Sequence, residues 1–327
     1  MNLPRRQVLG LMICIGVLLA GPERVYAQSF PSRPITMVAP FPAGGAVDTI
    51  GRLIAERMQE SLGQPVIVEN VTGASGSAGP GRVARAESDG YTLSLGTSST
   101  HVLNGATMAL PYDVVKDFEP VALLSSQPLM IVARKDMPAN NLKELIVWLQ
   151  SNQDKATQGT TGPGNMVHFA GALFQETTNT RFAFVPYRGT NLAMQDLVAG
   201  RIDMIFDLAS LSIPLVRAGT IKAYSVLAKE RLAAAPDVPT VDEAGLPGFY
   251  ISIWLGLWAP KGTPASAVTK LNAAVADALA NPAVRARLHD LGHELFPREQ
   301  QTPRALAELQ KSEVAKWWPI VKAAGIK

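Results

Sequence analysis

Short apolar runs alternate along most of the chain with stretches in which apolar residues recur every three or four positions. The runs have strand length, and the spaced stretches present one apolar helical face. Strands are expected near Ile35–Ala39, Val66–Asn70, Thr92–Gly96, Met130–Arg134, Ala183–Pro186, Met204–Asp207 and Lys222–Leu227. Helices are expected near Val47–Leu62, Gly76–Ala86, Leu142–Gln150, Met166–Thr177, Asn191–Ala199, Ala265–Ala280 and Pro303–Ala324. This alternation predicts an α/β fold in which helices cover the faces of a mostly parallel sheet.

An internal similarity suggests two domains. Ile131-Val-Ala-Arg-Lys-Asp-Met-Pro138 and Leu257-Trp-Ala-Pro-Lys-Gly-Thr-Pro264 share Ala, Lys and Pro at equal spacing, and Leu145 and Leu271 follow at equal distances. Each segment reads as strand, turn and helix with proline near the helix start. Each also follows an extended stretch, Val121–Leu129 or Phe249–Leu255, so both mark places where the chain can cross between domains. One domain then comprises residues 28–128 plus 251–327, and the other residues 129–250. The alternative is two similar βα units within one sheet.

The most informative stretch is Ile35-Thr-Met-Val-Ala-Pro-Phe-Pro-Ala-Gly-Gly-Ala-Val-Asp48, a buried-type strand leading through a glycine turn into a helix. Gly44 and Gly45 free the backbone so that successive N–H groups can face one concavity, and Asp48 falls in the first helical turn, where a carboxylate is favoured. An ordinary βα turn without a ligand would look similar. A second glycine-rich helix entry, Gly159-Thr-Thr-Gly-Pro-Gly-Asn165, can bring Gly162, Gly164 and Asn165 to an anion, with His168 close behind it or simply packing on the first helical turn. The hydroxyl cluster Thr97-Ser98-Ser99-Thr100 can donate to a ligand or cap the next helix. Tyr187-Arg-Gly-Thr190 ends a strand, and Asp207 ends the next; Asp207 can orient a ligand or serve as a helix cap or partner of Arg188. Phe41, Tyr187, Phe206 and Trp254 are candidate cleft walls, and Trp317 and Trp318 are expected to pin the last helix to the first domain.

Catalytic sets are missing: there is no Gly-x-Ser-x-Gly elbow, Walker loop or HExxH pair. His289 and His293 have half a metal site's spacing but no further ligands nearby, so they read as a solvated helix end. No metal or cofactor is expected. Arg5 and Arg6 precede an apolar run, Val8–Ala20, too short to span a bilayer, and Val25-Tyr-Ala27 offers a small-residue cleavage site. Residues 1–27 are therefore expected to be an export signal, better suited to ordinary secretion than to the twin-arginine route. The only cysteine, Cys14, would leave with it, so no thiol or disulfide chemistry is expected of the mature chain. Losing Arg5, Arg6, Arg24 and Glu23 takes the formal charge from +3 to about +1, which gives no argument for nucleic acid. Periplasmic location and a soluble monomer are expected.

The chain resembles the extracytoplasmic solute receptors of the tripartite tricarboxylate transporter family, the Bug or TctC-type receptors. The resemblance runs through Phe30-Pro-Ser-Arg-Pro-Ile35, Pro40-Phe-Pro-Ala-Gly-Gly-Ala-Val-Asp48, Val68-Glu-Asn70, Ala86-Glu-Ser-Asp-Gly-Tyr-Thr92, Pro186-Tyr-Arg-Gly189, Ala199-Gly-Arg-Ile-Asp203, Pro239-Thr-Val-Asp-Glu-Ala-Gly245 and Ala259-Pro-Lys-Gly-Thr-Pro264. It implies a two-domain periplasmic-binding-protein fold, a type II-like Venus flytrap, with the ligand cleft between the domains. The ligand implied is a small carboxylate, delivered to membrane permease subunits; a receptor that reports to a membrane signalling protein is the alternative. The implied contacts are Phe41, Ala43, Gly44, Gly45, Asp48, Thr97 and Ser98 from the first domain, and Gly162, Gly164, Asn165, His168, Tyr187 and Asp207 from the second. Asn165 and Val167 depart from the small hydroxyl residues common in the family, and Val167 leans toward a ligand with fewer polar groups at that end.

Overall fold

A computed structural model describes residues 30–323; the expected export segment and its cleavage site lie outside the described residues. β1 (Ile35–Ala39) is paired on both sides, with β2 (Val66–Asn70) and β3 (Thr92–Thr97), and all three are parallel. A strand in that position has no solvated edge, which is why Ile35, Met37, Val38 and Ala39 are all buried. Helix α1 (Ala46–Leu62) returns across this sheet on the face carrying Ile50, Ile54 and Met58, and Gly63 ends it in the left-handed conformation. Among the short elements that follow are α2 (Ala78–Val83), a π-turn (Ser99–Leu103) and α3 (Asn104–Thr107).

β4 (Phe118–Arg134) is 17 residues long and belongs to two sheets. Up to Pro128 it pairs with β9 (Ser252–Pro260), and Ser125 and Ser126 also pair with β10 (Glu294–Leu295). From Leu129 onward it lies between β7 (Met204–Leu208) and β8 (Ile221–Val226), and β5 (Thr157–Thr160) and β6 (Ala183–Pro186) extend that second sheet. The chain returns beside this crossing, where the Leu129 amide donates to the Ile251 carbonyl at 3.0 Å and the Ile251 amide to Leu227 at 3.0 Å. The helices of the second half are α4 (Leu142–Ser151), α5 (Met166–Thr178), α6 (Thr190–Val198) and α7 (Ala209–Arg217). After the return come α8 (Ala265–Ala280), α9 (Pro282–Asp290) and α10 (Pro303–Ala323).

Four differences from the sequence reading have physical causes. The sheets are less parallel than expected, because the crossing strands β4 and β9 run antiparallel to each of their neighbours. β5 escapes the apolar-run criterion because its Gln158 and Thr160 are buried by both sheet faces in spite of being polar. Trp318 does pin α10 to the first half, donating to the Val102 carbonyl at 2.9 Å, but Trp317 instead packs edge-on against Phe169 of α5, 5.1 Å away. His293 is buried rather than solvated, with Nδ1 3.0 Å from Ser125 Oγ, because β10 folds it against the crossing strand. Among the described residues, no helix is long and apolar enough to cross a membrane.

Candidate ligand-binding site

Between the two halves lies a cavity of about 40 Å³, room for a few water-sized groups. Its wall contains no Lys, Arg or His. Four helices begin on it instead. Gly45, Asn165, Gly189 and Leu208 are the N-cap residues of α1, α5, α6 and α7, and Ala46, Val47, Val167, Thr190 and Asn191 follow in the first turns of α1, α5 and α6. The first N–H groups of a helix have no partner within it and carry the positive end of its dipole. A side chain at the N-cap usually satisfies one of them. Here Gly45, Gly189 and Leu208 supply no such side chain, and only Asn165 caps its own helix, accepting from Val167 N at 3.0 Å. Of the helices that start away from the cavity, α4 and α9 are capped by Asn141 and Asn281, whereas α2 and α8 have no capping side chain. The remaining wall combines the hydroxyl residues Thr97, Ser99 and Thr161 with apolar Phe41 and Ile253.

The first glycine loop is held in shape from behind. Gly44 has φ +75°, open to glycine at little cost, and its amide donates to Asp48 Oδ2 at 2.9 Å. Asp48 also accepts from Arg52 Nε at 3.0 Å and Asn70 Nδ2 at 2.9 Å, and Asn70 Nδ2 reaches the Phe41 carbonyl at 2.9 Å. Burial alone would raise the Asp48 pKa, but the bonds from Arg52, Gly44 and Asn70 together hold it below the ordinary carboxylate range. Asp48 and the Gly44 amide are thus turned into the loop's own support, and neither residue lies on the cavity wall. Ala43 is exposed, and its carbonyl accepts from Asn191 Nδ2 at 3.5 Å.

Of the expected residues, the structure brings Phe41, Gly45, Thr97 and Asn165 together on the cavity wall. Thr97 Oγ1 accepts from Thr100 N at 3.3 Å, so its hydroxyl is partly engaged in its own turn. Ser98 is fully buried beside it, and its Oγ has no protein partner. Gly162 and Gly164 lie off the wall, where they face Ser75 and the Thr107–Asn104 edge of the first half. His168 also lies off the wall, 4.1 Å from the Phe184 ring, and burial lowers its pKa. Tyr187 turns its hydroxyl to Asp196 at 2.7 Å, and burial and that carboxylate push its pKa up to about 12. Asp207 is buried behind Leu208, accepting from Ser212 Oγ at 3.1 Å with Oδ1 unpartnered. Burial pushes the Asp207 pKa up to about 6, and the nearby Thr190 side chain, Leu208 amide and Ser212 offset only part of this. Phe206 and Trp254 belong to the packed core rather than the wall.

Ala46, Val47, Thr161, Gly189, Thr190, Asn191, Leu208 and Ile253 also line the wall without having been named as contacts, whereas Ser99 and Val167, which do line it, had been read from the sequence as able to meet a ligand. Ser99, Thr161, Gly189 and Thr190 stood in loops already singled out, whereas Leu208 and Ile253 carry no signal that separates them from core. Several wall residues also bridge the halves. Met166 N donates to Ser99 Oγ at 3.1 Å, and a Cβ on Gly189 would lie 2.8 Å from Pro42 Cδ.

Two lobes linked by crossing strands, with a cavity of uncapped helix starts between them, define a solute receptor of the periplasmic-binding-protein type. Solved structures support that class: the periplasmic binding protein BugD superposes with a TM-score of 0.87 at 37% identity, covering 91% of this chain and 99% of BugD. MatC from Rhodopseudomonas palustris, solved with bound malate, gives 0.86 at 42% identity, covering 89% of this chain and 100% of MatC. Residues 50–326 match the model of the tripartite tricarboxylate transporter family receptors, and the chain belongs to that family. It is similar over its whole length to protein BugT of Bordetella pertussis, 32% identical over 335 residues that cover 100% of this chain and 99% of BugT. Proteins of this kind bind solutes and are not enzymes.

Proposed function

We propose that this chain is a periplasmic receptor that captures a small carboxylate between its two lobes and presents it to the permease subunits of a tripartite tricarboxylate-type transporter. The observation that carries the reading is the convergence of four helix N-termini, three of them without a capping side chain, on a cavity with no cationic side chain. Each terminus acts as roughly half a positive charge, and a charge-assisted hydrogen bond contributes about 1.5–3 kcal/mol. Micromolar affinity requires about 8 kcal/mol after ordering costs, so several of these donors must act at once. Only closed lobes bring them together, and excluding water strengthens each bond. The lobes would comprise residues 28–128 plus 251–327 and residues 129–250, hinged where β4 and the returning chain cross.

Phe41, Gly45, Thr97 and Asn165, with Ala46, Val47, Thr190 and Asn191, would contact the ligand; Gly44, Asp48 and Asn70 would hold the first loop in position. Closure would also change the outer surface that a permease reads. A thermal-shift screen of mono-, di- and tricarboxylates tests the reading: saturable stabilisation by at least one acid is expected. No stabilisation by any acid would remove it.

A further inference from the structure

Asn191 stands apart from the other wall residues because its side-chain carbonyl oxygen is buried and unpartnered beside the helix-start amides. It is the second residue of α6, and its Nδ2 makes a long contact across the cleft to the Ala43 carbonyl at 3.5 Å, with Oδ1 facing the other way. Oδ1 is buried and has no hydrogen-bond partner. Its position is defined by the two glycine N-caps: a Cβ on Gly189 would lie 2.7 Å from it and one on Gly45 3.9 Å. The acceptor therefore sits between the starts of α1 and α6. Thr161 Oγ1, also on the wall, is a second buried hydrogen-bonding atom without a partner.

A lone buried carbonyl oxygen repels a carboxylate oxygen and is costly unless an X–H group reaches it. We propose that Asn191 is a specificity-determining residue that selects acids bearing a hydrogen-bond donor, a hydroxyl or an ammonium, on the carbon next to the carboxylate. This rests on the carboxylate reading of the cavity. If the amides at the starts of α1 and α6 hold the carboxylate, the atom facing Asn191 Oδ1 lies within a bond or two of it, which is the 2-position of the acid. A plain acid leaves Oδ1 unpaired, and a 2-hydroxy or 2-amino acid pairs it. Discrimination of about tenfold to a hundredfold follows from one buried hydrogen bond made or missed.

The test is calorimetric titration of matched acids that differ only at the 2-position: succinate, malate and aspartate; glutarate, 2-hydroxyglutarate and glutamate; butyrate, 2-hydroxybutyrate and 2-aminobutyrate. The substituted acid of at least one set is expected to bind about ten times more tightly than its plain parent, and comparison of the hydroxy and amino members tells which donor is read. Asn191→Leu is expected to bring the ratio of the two affinities close to one, whatever it does to the affinity of the parent acid itself. Asn191→Ser, a smaller change, should retain part of the preference and covers the case in which the leucine variant fails to fold. Plain acids that bind as well as their substituted partners, or a preference that survives both substitutions, would overturn the proposal alone. Lack of binding by every acid would overturn the carboxylate reading and this proposal with it.

Discussion

Replacing Gly189 by alanine separates closure from folding. Gly189 has φ −167° and ψ 154°, an extended conformation open to any residue, so the substitution brings no backbone strain. Its new methyl would stand 2.8 Å from Pro42 Cδ and 3.1 Å from Pro42 Cγ, across the cleft. Carbon atoms pack at about 3.5–4.0 Å, so the closed form is overpacked by roughly half an ångström. Overpacking of this kind costs about 1–3 kcal/mol, and here the cost falls on the closed form alone. Ligand affinity should therefore fall about 5- to 150-fold, while the melting temperature of the empty protein stays within about 2 °C of the parent. The Asn191 side chain, 2.7 Å from the same methyl, must also turn aside. Adding Pro42→Ala separates the two effects, because it removes Cγ and Cδ and should restore the part of the affinity lost to the lobe clash. Calorimetry with a bound acid, together with thermal unfolding without it, reads both quantities. Unchanged affinity in Gly189→Ala, or no recovery in the double variant, would refute closure at this contact.

Asp48→Asn should destabilise the empty protein by about 1–3 kcal/mol in denaturant titration, because it weakens the bonds from Gly44, Arg52 and Asn70 that shape the first loop; an effect on affinity without one on stability would place Asp48 back at the ligand. Ser99→Ala removes the acceptor of Met166 N across the cleft and should weaken binding about three- to tenfold, with little change in empty-protein stability. Burial holds His101 and His293 neutral down to about pH 3, so below pH 6.5 the unfolded chain gains two protons that the native state does not. Asp207 acts oppositely: titrating near 6, it is protonated in the native state and ionised in the unfolded state between about pH 6 and 3.8. Unfolding free energy should thus fall as pH drops from 6 to 4, and fall more steeply, by up to about 1.4 kcal/mol per unit more, in Asp207→Asn, where the offset is gone. An unchanged slope in that variant would show that Asp207 takes up no proton in this range.

Elements with strong periodicity were legible in the sequence. The bounds of β1, β2, β6 and α8 coincide with the expected ones, because apolar runs closed by Pro, Gly or Asn, and one long amphipathic stretch, leave little choice. α7 and α9 were not expected, since Pro214 lies inside one and the other has only two buried residues, Val284 and Leu288, to mark its face. At the site, Phe41, Gly45, Thr97 and Asn165 could be named because they end strands or open helices, where ligand donors gather. Asp48 resembles a ligand contact in sequence, and its role is decided by Asn70, 22 positions away, which no local pattern reveals. Leu208 and Ile253 reach the wall only because their strands end there; in sequence they are ordinary core residues. The missing caps on α6 and α7 carry meaning only once the cavity is seen to lie in front of them.

The most direct test of an anion held by helix N-termini without a cation is to titrate a tight-binding acid and, in parallel, its methyl ester. The ester keeps the shape and most of the acceptors but removes the charge. One-to-one binding of the acid, with the ester at least a hundredfold weaker, is the predicted result. An ester that binds as well as the acid would contradict the account, since the cavity would then be selecting shape alone.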